Sequence, residues 1–260
     1  MPIQQNFTRD LNMRDSIAVN RGFYDVLWAD SHLMRPDRFN TWPLISELLA
    51  LAPMRLEVGP GLRPRLPISG THFVDISPPV IERLTTCGGL AVHAEITELP
   101  FGDGKFDLVC AFDVIEHVAD DCRVFGEASR VLKEGGFFVF SVPVHARLWT
   151  KFDELVGHVR RYEPAALPSL LADHDLIIER SAAYGMQPAN PRLLDFSLWC
   201  LKHSRREAMW LYNKVLMPLG MLFQKSLKFK DGLVDAIDVD EIVLVCRKRP
   251  SSKGADSTTM

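Results

Sequence analysis

The sequence contains no Cys-x-x-Cys pair. Its five cysteines, Cys87, Cys110, Cys122, Cys200 and Cys246, are scattered through 260 residues. That spacing suggests neither a zinc ribbon nor a disulfide framework, and it suits a reducing compartment. They read as small core residues. No apolar run approaches the roughly 20 residues that span a bilayer. The longest of note, "VLMPLGMLF" from Val215 to Phe223, is interrupted by a proline. The opening residues "MPIQQNFTRDLNMRDS" are polar and mixed in charge, unlike a signal or transit peptide. A formal net charge of −3 disfavours nucleic acid as the main partner. Internal repeats are absent as well. The expected setting is the cytoplasm.

What is present is an alternation of short apolar runs with segments of helical period, the pattern of a parallel α/β sheet. "MRLEVG", "THFVDIS", "LAVHAEI", "FDLVCAFDV", "FFVFSV", "DLIIERSA" and "EIVLVCRK" read as seven strands. Between the fourth and fifth, Val124, Phe125, Ala128, Val131 and Leu132 share one helical face. Asp120 or Asp121 can cap that helix and Gly135–Gly136 can end it. The expected fold is α/β and Rossmann-like: a doubly wound, mostly parallel seven-stranded sheet. A helical cap at 1–51 precedes a core at 52–250, and a helical insertion at 186–232 falls before the last strand. The tail at 251–260, "SSKGADSTTM", has a disordered composition.

The stretch "RLEVGPGLRPRLPISGTHFVDIS", Arg55 to Ser77, carries the first functional signal. A glycine turn after a strand lets backbone approach a nucleotide, and a pyrophosphate there usually sits on a helix N-terminus. Here Gly59 and Gly61 form the turn, but Glu57 precedes them and Pro64 and Pro67 follow. The prolines discourage a long helix. A carboxylate at the head of the loop favours a cation over a pyrophosphate. S-adenosylmethionine, with its ammonium and sulfonium groups, meets that description. Asp75 ends the second strand, where an acid can accept hydrogen bonds from ribose hydroxyls. Asp75 serves NAD as well as S-adenosylmethionine, so it indicates adenosine rather than which cofactor.

Four further stretches extend the pattern: "AEITELPFGDGKFDLV", "AFDVIEHV", "RVLKEGGFFVFSVP" and "LWTKFDELVGHVRRY". With the glycine turn they resemble the class I S-adenosylmethionine-dependent methyltransferases, in particular the broad group called methyltransferase type 11. The resemblance runs from about Met54 to Tyr184. It implies that Glu57, Gly59 and Gly61 face the methionine moiety. Asp75 with Ile76 would take the ribose and Glu95 with Ile96 the adenine, and Phe112 and Asp113 would line the pocket floor. Arg63 stands where the group's loop carries its third glycine. The crossover to the second strand is about a dozen residues, the lower limit for a regular βαβ unit.

Asp113, Glu116 and His117 lie together after the fourth strand. Carboxylates and imidazoles so near a helix start are ordinarily caps and dipole partners, and no metal is expected there. In "GHVRRY", His158 offers a base, while Arg160, Arg161 and Tyr162 could hold an acidic acceptor. The alternative is a basic turn docked through Tyr162, with Asp153 pairing one arginine. Either His158 or His117 could deprotonate a hydroxyl acceptor. Tyr24, Leu27 and Trp28 have helical spacing and suggest a lid helix, with Trp28 toward the ligand. From Leu201 to Lys230 seven basic residues face one acid, a net +6. An active-site cap accounts for this apolar, basic insertion, and peripheral membrane contact through 201–230 is the second reading.

The expected reaction is methyl transfer to a small apolar or amphiphilic acceptor, with oxygen slightly favoured. The alternatives are an NAD-dependent oxidoreductase and a non-catalytic binding or scaffold protein on the same fold. "FDVIEH" stands where nucleic-acid methyltransferases carry an Asn/Asp-Pro-Pro-Tyr-type motif. The oligomeric state is not encoded in any feature of the sequence.

Overall fold

The computed structural model describes residues 22–24, 26–28, 31–185, 200, 203–237 and 239–250. The expected disordered tail, the first part of the N-terminal cap and the opening of the insertion at 186–199 lie outside the described residues.

Strands β1 (Arg55–Val58), β2 (Thr71–Asp75), β3 (Leu90–His93), β4 (Phe106–Ala111), β5 (Leu132–Pro143), β6 (Leu176–Tyr184) and β8 (Glu241–Lys248) correspond to the seven expected. An eighth, β7 (Lys230–Asp231), corrects the count among the described residues. It is two residues long and pairs with the free edge of β6, where the chain returns from the insertion. The sheet order is β3-β2-β1-β4-β5-β8-β6-β7. Strands β3, β2, β1, β4 and β5 pair in parallel, and β8 runs antiparallel between β5 and β6. The parallel strands therefore end on one edge.

The two-residue period of a strand sends alternate side chains to opposite faces, and both faces here are covered. Val109 and Ala111 of β4 join Val124, Phe125 and Ala128 of helix α3 (Asp121–Val131) in one core layer. Leu108 and Cys110 join Leu44, Ile45 and Leu48 of α1 (Trp42–Leu49) in the other. Helix α2 (Pro78–Thr86) covers β2 and β3. Asp120 caps α3 by accepting the Arg123 N–H at 3.0 Å. That helix stops at Val131 rather than at Gly135–Gly136, because Leu132 already pairs with Phe106 of β4. Gly135, at φ +71°, turns the chain within β5 instead. Cys110 and Cys246 are core residues, whereas Cys87 and Cys122 are exposed.

No helix lies between β1 and β2. Further helices among the described residues are α4 (Lys151–Val156), α5 (Leu167–Ala172), α6 (Arg205–Leu211) and α7 (Met217–Leu222). A π-helical turn at Tyr212–Leu216 joins the last two into one rod.

Candidate active site

The glycine turn leaves β1 at the carboxyl edge of the sheet, where open α/β folds bind ligands. Gly59 and Gly61 have φ of +63° and +53°, in the left-handed region. A Cβ on Gly61 would fall 2.2 Å from the Trp28 indole, and one on Gly59 would fall 2.6 Å from a Val114 methyl. The turn is thus open backbone covered by two side chains.

With no helix after the turn, its amide groups need other partners. Glu57 supplies them: one carboxylate oxygen accepts the Arg65 N–H and the other the Leu66 N–H, each at 2.8 Å. Burial pushes its pKa up to about 7 against those two hydrogen bonds. Glu57, expected to face the methionine moiety, thus also ties the loop together. Asp75 bridges the turn to the end of β2. It accepts the Gly61 N–H at 3.1 Å and the Ser77 N–H at 2.8 Å. Burial raises its pKa to about 6, opposed by those bonds. Ile76 is half-buried, Ile96 is buried in the core, and Glu95 is exposed with the Thr97 hydroxyl at 3.3 Å. Phe112 packs near Tyr184 in the α1-side layer.

Arg63, at the position of the missing third glycine, joins three segments. Its guanidinium lies 5.2 Å from the rings of both Trp28 and Tyr212. It donates to Asn213 Oδ1 at 3.0 Å, and Asn213 Nδ2 donates to the Leu27 carbonyl at 2.7 Å. Trp28 stacks on Tyr24 at 5.8 Å. The N-terminal helical residues and the insertion therefore meet over the glycine turn. Trp28 lies on the turn as a lid residue would. Sequence reasoning missed Arg63 as a clasp, because its partners are distant in sequence.

Beside the turn stands a second group of side chains. Asp113, at φ +57°, donates its N–H to Ser141 Oγ at 2.9 Å. His117 Nδ1 lies 3.2 Å from the Gly157 carbonyl and its Nε2 lies 3.4 Å from the Tyr24 hydroxyl. Burial and the neighbouring His158 lower the His117 pKa to about 3, so this imidazole is neutral. His158 Nδ1 lies 2.8 Å from Asp153 Oδ1. Its ring meets that of His117 edge-on at 4.7 Å.

The arginines and tyrosine of "GHVRRY" are engaged within the protein. Arg161 donates to both oxygens of Asp153, at 2.9 and 3.0 Å, with both side chains buried. Arg160 binds Asp121 and the Ala119 carbonyl. Tyr162 sits in the core and donates to Asp121 at 3.0 Å. Arg160, Arg161 and Tyr162, expected to hold an acceptor, here hold the long connection after β5 against α3 and α4. Glu241, at the start of β8, was read only as a strand residue. Its carboxyl is raised well above the usual range, first by burial and then by Asp113 and Glu116. No sequence spacing signals that approach.

The sheet order and the site at its carboxyl edge define a class I methyltransferase fold. Residues 62–140 match the methyltransferase domain family. A sarcosine/dimethylglycine N-methyltransferase of Halorhodospira halochloris is 47% identical over 55 residues, 21% of this chain and 20% of that protein. A methyltransferase structure from Galdieria sulphuraria superposes with a TM-score of 0.55 at 15% identity, covering 92% of this chain and 99% of that one. The cyclase SpnF superposes with a TM-score of 0.54 at 17% identity, over 80% of each chain. At these identities the two structures report the fold alone. The chain spans between 20% and 50% of the length of the first curated relatives it matches. Residues 62–140 are thus similar to methyltransferase domains of the type 11 kind. Among the described residues no helix is long and apolar enough to cross a membrane.

Proposed function

We propose that this chain transfers a methyl group from S-adenosylmethionine to a small acceptor. The observation that carries the reading is the Gly59–Gly61 turn tied to Asp75 at the carboxyl edge of the sheet. The residues fit the cofactor: the two glycines let Trp28 and Val114 pack directly on the backbone of the turn, which gives a nucleoside apolar and aromatic walls, and Asp75 offers a carboxylate beside it. S-adenosylmethionine would supply an electrophilic methyl carbon, which bonds to the acceptor's lone pair as the carbon–sulfur electron pair returns to sulfur. Asp75 would orient the ribose, and Trp28 with Tyr24 would exclude water from above.

A hydroxyl acceptor must also lose its proton. His117, with its pKa lowered to about 3, is a poor proton acceptor. His158, oriented by Asp153, is the better candidate. An N-methyltransferase among the relatives supports nitrogen as an alternative to oxygen. The α6–α7 rod supports an amphiphilic acceptor presented at a membrane surface. Leu211, Val215, Leu219 and Leu222 are exposed at helical spacing, with Phe223 beside them and Lys214, Lys225 and Lys228 nearby. Co-sedimentation with anionic vesicles, weakened in Leu222→Ser/Phe223→Ser, would support that contact, and equal sedimentation of the variant would remove it.

Calorimetric titration with S-adenosylmethionine, S-adenosylhomocysteine and NAD, with Asp75→Ala in parallel, tests the central reading. Binding of the first two, lost in the variant, is expected. Binding of NAD alone, or of none, would sink it. A fold does not fix its reaction, so the second reading is a different reaction on the same fold. Cofactor binding without methyl transfer to any of a panel of alcohols and amines would turn the balance that way.

A further inference from the structure

Glu116, His117 and His158 are drawn from two separate segments, the turn after β4 and the connection after α4. One donor atom from each lies within 4.8 Å of the other two. Glu116 is 2% exposed, and its Oε2 has no hydrogen-bond partner. Its other oxygen faces His158 Nε2 at 3.7 Å, beyond hydrogen-bond reach. An oxygen left unpartnered at this depth is costly and a bound cation would satisfy it, and no arginine or lysine is ion-paired with Glu116 among the described residues.

We infer that Glu116, His117 and His158 bind one divalent transition-metal ion of the zinc type. Two imidazoles and a carboxylate are a donor set that such ions accept with a coordination position to spare. The surroundings of both histidines support the assignment. A metal-bound histidine usually gives its other ring nitrogen to a carboxylate or a backbone carbonyl, which fixes the tautomer. Asp153 stands 2.8 Å from His158 Nδ1, which leaves Nε2 on the Glu116 side. The Gly157 carbonyl stands 3.2 Å from His117 Nδ1. Thr150 and Arg161 hold Asp153 in turn, so the second layer is itself rigid. The sequence reading expected capping residues here rather than a metal, because Glu116 and His117 adjoin a helix start and His158 could not be placed beside them.

The location suggests what the ion does. Val114, two residues before Glu116, lies against Gly59, and Tyr24 connects His117 to the Trp28 that covers Gly61. The site thus flanks the glycine turn. An acceptor oxygen entering the spare position would be polarised and acidified by the ion, with His158 a ligand instead of the proton acceptor. This role rests on the proposed methyl transfer, whereas the binding of the ion does not.

The test uses the full chain, stripped with a chelator and titrated with Zn2+ and Co2+. About one equivalent of Zn2+ per chain is expected, with Co2+ giving the visible absorption of a nitrogen- and oxygen-ligated ion. Glu116→Gln and His158→Asn should each weaken uptake at least tenfold. Imidazole proton resonances of His117 and His158 in the unmutated protein should move on Zn2+ addition, a readout independent of how the variants fold. Uptake unchanged in both variants, no stoichiometric uptake, or unmoved imidazole resonances would each overturn the proposal. Repeating the titration with S-adenosylhomocysteine separates the two readings. Metal uptake without nucleoside binding leaves this site standing and removes the methyltransferase one.

Discussion

Asp153 is the residue whose replacement tests the packing argument most directly. It is fully buried and accepts two hydrogen bonds from Arg161, one from the Thr150 backbone at 2.7 Å and one from the Thr150 hydroxyl at 2.9 Å. Burial alone would raise its pKa, but the bonds from His158, Arg161 and Thr150 outweigh it and hold the carboxyl well below the usual range. Asp153→Asn keeps the size and removes the charge. The Arg161 guanidinium, 1% exposed, is then left without its counter-ion. Stranding a buried charge costs about 3–5 kcal/mol, a large part of the roughly 5–15 kcal/mol that holds a domain together. Urea unfolding should therefore show the midpoint fall at constant slope. Adding Arg161→Met to the variant removes the stranded charge and should recover part of the loss. The pH dependence has a fixed sign. A carboxyl with a depressed folded-state pKa contributes stability above its unfolded value near 4, and the contribution fades as pH falls. The gap between the unmutated protein and Asp153→Asn should accordingly narrow from pH 5 to pH 3. A loss under about 1 kcal/mol, or a double variant as unstable as the two singles added, would refute the reasoning.

Gly61→Ala forces an L side chain into a left-handed conformation, costing about 1–2 kcal/mol, and drives its methyl into the Trp28 indole. Displaced indole fluorescence and a lower melting temperature are expected, and an unchanged emission maximum would count against the lid contact. Asp75, with a folded-state pKa of about 6 against the ordinary 3.8, contributes stability at pH below about 4 that is lost as pH rises through 6. That swing is roughly 3 kcal/mol, and Asp75→Asn should flatten it in melts across pH. If the ionised form holds the ribose, S-adenosylhomocysteine affinity rises about tenfold from pH 5 to 7.5, and a flat profile would deny Asp75 that role. Arg63→Ala removes the clasp between the turn and the insertion, so limited proteolysis within 205–223 should accelerate while the core fragment survives.

The strands were legible because the signal is local. β1, β4 and β5 are apolar runs bounded by turns, and their burial on both faces requires that. The two-residue β7 carries no such signal, since its pairing depends on where the insertion delivers the chain. Gly135 looked like a helix stop, but Leu132 had already found Phe106, and strand pairing took precedence over glycine's usual place after a helix. The Gly59–Gly61 turn and Asp75 could be read because a single β-loop-β segment contains them. The roles of Arg160, Arg161 and Tyr162 could not. A basic turn facing solvent and a basic turn pinned by Asp121 and Asp153 have the same sequence, and only tertiary contacts distinguish them. Tyr24 and His117, 93 residues apart, are a stronger case of the same limit.

Glu57 shows how the missing helix bears on the ligand. In a dinucleotide-binding fold the helix after the turn aims its free N–H groups at a pyrophosphate. Pro64 lacks an N–H, and the amides of Arg65 and Leu66 already donate to Glu57. The groups that would neutralise two phosphates are thus either absent or spent on a buried carboxylate. What remains at the turn is the Gly61 amide held by Asp75 and the aromatic cover of Trp28. A pyrophosphate would find no helix dipole there and few free amides. A nucleoside carrying a sulfonium and an ammonium needs none of those donors. The same substitution of a carboxylate for a helix that shortens the crossover therefore selects against NAD.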